Sequence, residues 1–201
     1  MINDKGKNNV ISMDASDKLN SCTINFYGNN NLIEIGKGCK IENIIFTFYG
    51  DNHRVILKDR VTLYEGAIVF EDSNNLLEIG EGTLCFQHLS IAVVEPARKV
   101  IIGIKCLFSN TITIRTSDSH SIIDNGTGQR INLGKDIIIG DRVWVCEKVH
   151  ILKGANIGSD SVIGTCSVVT KGNYLNNSLL AGNPAKIRKS NISWLAERIY
   201  G

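Results

Sequence analysis

The sequence predicts an all-β fold: a prism-shaped solenoid of parallel strands, with a protruding loop and a short C-terminal helix. Three observations predict it. Ile139, Val145, Ile151, Ile157, Ile163 and Val169 recur six residues apart without a miss. Four positions after each of the first five stands a small or β-branched residue: Val143, Val149, Ala155, Ser161 and Ser167. The N-terminal half repeats at a step of 22 residues, with NNVISMD at 8–14, NNLIEIG at 30–36, NHRVILK at 52–58 and NNLLEIG at 74–80. A helix (period about 3.6) and a plain strand (period about 2) have no use for a period of six. A coil of strands does, because each rung must stack the same kind of side chain on the rung below.

The coils run from about residue 8 to 172, interrupted once between Ile114 and Ile139. Inside each long unit the six-spacing returns, as in Leu57, Leu63 and Val69, or Ile79, Cys85 and Ile91. A turn of three hexads takes 18 residues. The four or five residues beyond that, such as GNNN or DSNN, form a polar bulge at one corner, where Asn, Asp and Gly tolerate left-handed backbone angles. Phe26, Phe48 and Phe70 keep the step of 22 and should form one inward ladder. Rungs should lie about 4.8 Å apart. The two prolines, Pro96 and Pro184, fall beside a corner and in the tail, where a missing N–H does no harm. Residues 1–190 form the main unit, with an excursion at about 118–134. The tail, 191–201, reads as a short amphipathic helix with Ile192, Leu195 and Ile199 on one face, placed to cap the open end of the coil. His53 falls at a corner and is expected to be solvated.

Composition bounds the partners. A chain of 201 residues fits one domain with an appendage, and a net charge of +2 argues against nucleic acid or a membrane surface. No run of about 18 apolar residues predicts a membrane span. The N-terminal MINDKGKNNV lacks the apolar core of a secretory leader, so the expected compartment is the cytoplasm. Cys22, Cys39, Cys85, Cys106, Cys146 and Cys166 are scattered without a C-x-x-C pair. They read as small interior side chains in a reducing compartment, not as metal ligands or disulfides.

The run IIIGDRVWVCEKVHILKGANIGSDSVIGTCSVVTKG, followed by LLAGNPAKIRK, resembles the C-terminal half of the hexapeptide-repeat acyltransferases. Upstream, SDSHSIID and GQRIN resemble the capsule and lipopolysaccharide O-acetyltransferases of that family, including those acting on sialic-acid polymers. The resemblance covers roughly residues 105–190; the N-terminal coils match in periodicity only. It implies a left-handed parallel β-helix, although crossovers are generally right-handed. It also implies a homotrimer with active sites in the clefts between copies, acetyl-CoA as acyl donor and a saccharide hydroxyl as acceptor.

Transfer of an acyl group from a thioester needs a base, an oxyanion donor and a slot for pantetheine. Histidine is the natural base, with a free pKa of about 6.5. Of the four histidines, His120 sits where the hexads stop, on a loop held by a rigid scaffold, and SDSH matches the family's catalytic segment. Asp118 and Asp124 stand near enough in sequence to orient its ring, as could a backbone carbonyl, and Asp118 is also a candidate acceptor contact. Trp144 precedes the inward Val145 and so faces outward, where something must cover it. The resemblance makes it the partner of the catalytic histidine; the alternative is an anchor of the subunit interface. His88, in CFQHLS, is a candidate acceptor contact or a plain wall residue. His150 is expected on the same outward row as Trp144. The resemblance lays pantetheine along the last coils, where Gly158, Gly164 and Thr165 leave backbone accessible. Lys171, Lys186, Arg188 and Lys189 are candidates for the nucleotide phosphates, or ordinary surface cations. GTGQR at 126–130 reads as a hairpin over the acceptor. Other readings are an N-acetyltransferase on an amino sugar nucleotide and a non-catalytic binding solenoid. A zinc carbonic anhydrase would need three histidines around one metal, which the stretch after His120 does not supply.

Overall fold

The computed structural model describes residues 1–14 and 19–200. Its strands form three sheets, one on each side of a prism. The first face runs from Ile2–Asp4 to Val168–Val169 and the second from Val10–Ser12 to Gly172–Tyr174, eight strands each. The third has nine, from Leu19–Asn20 through Ser178–Gly182 to Ala185–Ser190. The chain visits the first, second and third faces in turn and then climbs one rung. All pairs are parallel except the last, where Ala185–Ser190 folds back on Ser178–Gly182. The fold is the left-handed parallel β-helix.

The six-spaced residues 139, 145, 151, 157, 163 and 169 are all buried, as are the five small residues between them. Each rung therefore stacks like on like: Ile102 lies beside Ile139, and Phe108 beside Val145. The phenylalanine ladder forms, with centroids 4.9 Å apart for Phe26 and Phe48 and 5.1 Å for Phe48 and Phe70. At the polar corner Asn8, Asn30, Asn52 and Asn74 form a column at φ between 56° and 60°, the left-handed region that asparagine tolerates. Gly103 marks a close rung-to-rung approach. A Cβ there would lie 2.5 Å from the Gly140 carbonyl carbon.

Four expectations need correction. The coil is longer than 8–172, since its first strand begins at Ile2 and its last parallel strand ends at Gly182. The first strand is exposed at every position, so it carries no apolar pattern to read. At the other end the step shortens to 17, pairing Ile157 with Tyr174 and Ile163 with Leu180, which breaks the count of six.

His53 is not solvated; its exposure is 0%. It belongs to a second ladder, in which the Asn31, His53, Asn75 and Arg98 amides donate to Asn9 Oδ1, Asn31 Oδ1, His53 Nδ1 and Asn75 Oδ1. Nδ1 is therefore an acceptor, and Nε2 faces the Tyr49 carbonyl oxygen at 3.3 Å. This fixes a neutral imidazole, and burial lowers its pKa, against smaller opposing effects of Tyr49, Asp51 and Asp72.

The tail is not helical. Residues 191–200 contain no helix, and Gly201 lies outside the described residues. The tail's polar groups bond to the wall instead. Ile192 N donates to Asn177 O at 2.9 Å, Asn177 Nδ2 to Ile192 O at 3.2 Å, and Trp194 Nε1 to Arg142 O at 2.6 Å. A helix this short is marginal by itself, and these bonds compete with its i to i−4 ladder.

His150 does not share a row with Trp144. It is exposed on the first face, in register with Thr113 and Val168, whereas Trp144 lies on the third. The hexad alternation tells inside from outside but repeats on every face, so it does not tell one face from another.

Candidate active site

The excursion leaves the corner between the first and second faces after Thr113–Arg115 and returns at Ile137–Ile139. It is an ordered hairpin. Ile131 N donates to Ile122 O and Asp124 N to Gln129 O, both at 2.9 Å. The Asp124 carboxylate closes the turn, accepting from Gly126 N, Thr127 N and the Thr127 hydroxyl. Asp124 thus supports the turn rather than the imidazole.

His120 stands at the root of this hairpin, after Ser119 at φ 66°, and its side chain is exposed. Its backbone carbonyl accepts from Asn132 Nδ2 at 2.8 Å. The same amide reaches Asp118 Oδ2 at 2.9 Å, and Asn132 Oδ1 accepts from Ile122 N at 2.8 Å. Lys153, one rung up at the same corner, donates to Asp118 Oδ2 at 2.5 Å and to Asn132 O at 2.6 Å. The Asp118 carboxylate therefore faces Lys153 and Asn132, not the His120 ring. Partial burial raises the Asp118 pKa, but the hydrogen bonds from Lys153 and Asn132 and the charges of Lys153 and Arg130 outweigh this and hold it below the usual carboxylate range. Lys171 lies one rung above, with its side chain against that of Lys135 over Gly154.

Trp144 is on the third face, outward, between Leu107 below and Val162 above. The tail covers it. Trp194 lies 5.9 Å away at a 44° tilt, and the Arg142 guanidinium sits 5.8 Å from the Trp194 centroid. A shallow cleft lined by Leu107, Trp144, Trp194, Leu195 and Arg198 remains beneath the tail. The neighbouring outward column on this face runs Cys146, Gly164, Ala181, all small. The atoms nearest a Cβ at Gly164 would be Ala181 Cβ, Leu180 O and Ser167 Oγ, none nearer than 3.3 Å, and Thr165 is exposed beside it. Gly158 differs from the expected open site, because a Cβ there would lie 2.4 Å from Asn176 N, so the next rung already covers it. Lys186, Arg188 and Lys189 project from the antiparallel strand that ends this face, and Arg188 Nε donates to Ala181 O at 2.9 Å. His88 sits at the corner between the third and first faces at φ 61°, its Nδ1 3.0 Å from Glu65 Oε1.

Apart from His88, the candidates thus separate into two groups. His120, Asp118 and Lys171 mark the corner between the first and second faces. Trp144, Gly164, Thr165, Lys186, Arg188 and Lys189 mark the third face, across the body of the prism from that corner. Glu95, Arg130, Asn132 and Lys153 were not anticipated. The readable signals were GQRIN at 128–132, which contains Arg130 and Asn132, and, for Lys153, its spacing of 18 from Lys135 and Lys171; Glu95 carried none. Among the described residues no group of three or more His, Cys, Asp or Glu side chains could hold a metal ion, and no helix is long and apolar enough to cross a membrane.

Comparison with known proteins narrows the class. No family model matches the chain. It is 40% identical over 102 residues to a polysialic acid O-acetyltransferase of Escherichia coli O1:K1 / APEC, a match covering 51% of this chain and 33% of that protein. It is 35% identical over 96 residues to the polysialic acid O-acetyltransferase of Neisseria meningitidis, covering 48% and 45%. The matched segments thus span less than half the length of either curated relative. The structural matches are wider. The crystal structure of the polySia-specific acetyltransferase NeuO superposes with a TM-score of 0.90 at 35% identity, covering 98% of this chain and 89% of that one. The polysialic acid O-acetyltransferase OatWY gives 0.89 at 33% identity, covering 100% and 93%. The three-faced coil and these matches together place the chain among the hexapeptide-repeat solenoids of the acetyltransferase class. Within that class, the chain belongs to the polysialic acid O-acetyltransferase family.

Proposed function

We propose that the protein transfers acetyl from acetyl-CoA to a hydroxyl of a surface polysaccharide, such as a capsule or O-antigen, and does so as a homotrimer in the cytoplasm. The observation that carries this reading is the separation of the candidate residues onto opposite sides of one prism. Packed around a threefold axis, the loop corner of one copy meets the third face of the next, and the two groups become one cleft. The relatives' activity on polysialic acid supports oxygen as the acceptor atom.

The third face suits the donor. The small column of Cys146, Gly164 and Ala181 leaves room for a thin pantetheine arm, and Lys186, Arg188 and Lys189 offer charge for the phosphates. Lys171 reaches the same cleft from the neighbouring copy. His120 takes the proton of the acceptor hydroxyl as its oxygen attacks the thioester carbonyl, and returns it to the departing thiolate. The Trp144 indole N–H stabilises the developing oxyanion. Asp118 and His88 line the acceptor side. Burial pushes the Cys146 thiol up, against a hydrogen bond with Thr165, so it stays protonated and direct transfer needs no acyl-cysteine.

The test is thiol release from acetyl-CoA in the presence of sialic-acid polymers and other surface saccharides. Saccharide-dependent release with an alkali-labile ester product supports the proposal, and His120→Ala should lower the rate by about 10²–10⁴ without changing the melting temperature. An alkali-stable amide product would favour N-acetylation. Release from no acceptor would contradict the reading.

A further inference from the structure

We infer that Glu95 is a positioning residue for His120, a clamp that holds the catalytic loop shut at both ends. This rests on the proposed role of His120. Glu95 follows the strand Leu89–Val93, one rung below the excursion and at the same corner. Its backbone adopts φ 75°, uncommon for a non-glycine residue, and its amide donates to Asp72 Oδ2 at 2.8 Å. Its carboxylate then meets three separate points of the excursion. Oε1 accepts from the Ser117 hydroxyl at 2.6 Å, where the loop departs. It also accepts from Arg130 Nη2 at 2.5 Å, on the returning arm. Oε2 accepts from Gly134 N at 2.7 Å, where the loop rejoins the wall.

The connection reaches His120 in two steps. Arg130 Nε donates to Asn132 Oδ1 at 3.1 Å, and Asn132 Nδ2 donates to the His120 carbonyl at 2.8 Å. Asn132 is 8% exposed, so its bonds are sheltered from competing water. Gly134 is part of the device. A Cβ there would lie 2.9 Å from the Glu95 carboxyl carbon and Oε2, so the carboxylate closes on bare backbone. The excursion has no strand partner on a neighbouring rung to fix its height, and Glu95 supplies that register from below. The donor candidates of the third face, Trp144 to Lys189, are untouched by the clamp, and Lys171 stands two rungs above the excursion, outside its hydrogen bonds.

The test uses the full chain with Glu95→Gln, which keeps the shape but removes the charge and one acceptor. Turnover should fall about 10–100-fold, the loss typical of a mispositioned catalytic group, while the KM for acetyl-CoA changes little. In a His120→Ala background the same substitution should cost nothing further, because its effect passes through the imidazole. Amide hydrogen exchange over 117–134 should accelerate in Glu95→Gln, with the walls unchanged. Equal losses in both backgrounds, or unchanged exchange in the loop, would overturn the inference. Faster loop exchange together with full activity of His120→Ala would instead keep the clamp and remove His120 as the base.

Discussion

Two histidines of this chain show that position in a coil decides what an imidazole does. His120 projects, exposed, from the root of a loop and is the base of the proposed reaction. His53 is an interior hydrogen-bonding strut whose Nδ1 must stay unprotonated to accept the Asn75 amide. Its pKa is lowered in the fold, so the unfolded chain binds its proton first. The stability it contributes is complete above the unfolded value of about 6.5 and is lost as pH falls through and below that value toward the lower folded one. The difference in urea midpoint between pH 8 and pH 5 should therefore shrink in His53→Asn relative to the parent chain. His53→Leu should cost about 1–3 kcal/mol at pH 8, because it strands the Asn75 amide. An unaltered pH dependence in His53→Asn would show that the strut does not titrate. The sequence did carry this signal. The second residue of NN at 8–9, 30–31 and 74–75 has its counterpart in His53 of NH at 52–53. A column of asparagines looks like surface until one sees that each caps the backbone of the rung above.

At the level of strands and loops, whatever recurs was legible and whatever occurs once was not. The aliphatic hexads and the phenylalanine step report a packing condition repeated on every rung, so the walls follow from counting. The hairpin's existence followed from the gap in that count, but the bonds that tie it to the wall join residues up to 39 apart with no period, as Gly134 and Glu95 do. The tail was misread because its apolar spacing suits a helix, whereas Trp194 is taken by the wall. Trp144 and Trp194 are the chain's two tryptophans, which gives a direct optical test. In Trp194→Ala the remaining fluorescence comes from Trp144, and losing its cover should shift the emission to the red and increase quenching by acrylamide. Unshifted emission would mean that the tail does not shield the indole in solution.

For the proposed assembly, the prism gives the reason one copy would not suffice. A corner and the face opposite it are kept apart by a packed core in which Ile102, Val145 and Ile163 are at most 1% exposed, so His120 and Trp144 have no route to each other within a copy. The periodicity fixes the prism but says nothing of what packs against its outside, which is why the trimer came from resemblance alone. The most direct measurement is complementation. His120→Ala and Trp144→Ala variants, each of low activity, are unfolded together, refolded at equal ratio and assayed for saccharide-dependent thiol release. About three-quarters of the trimers would be mixed, each with one of three clefts carrying both native side chains, so activity should return to roughly a quarter of the parent's. Mixed assemblies no more active than the two variants alone would place both side chains in the same copy and contradict the account.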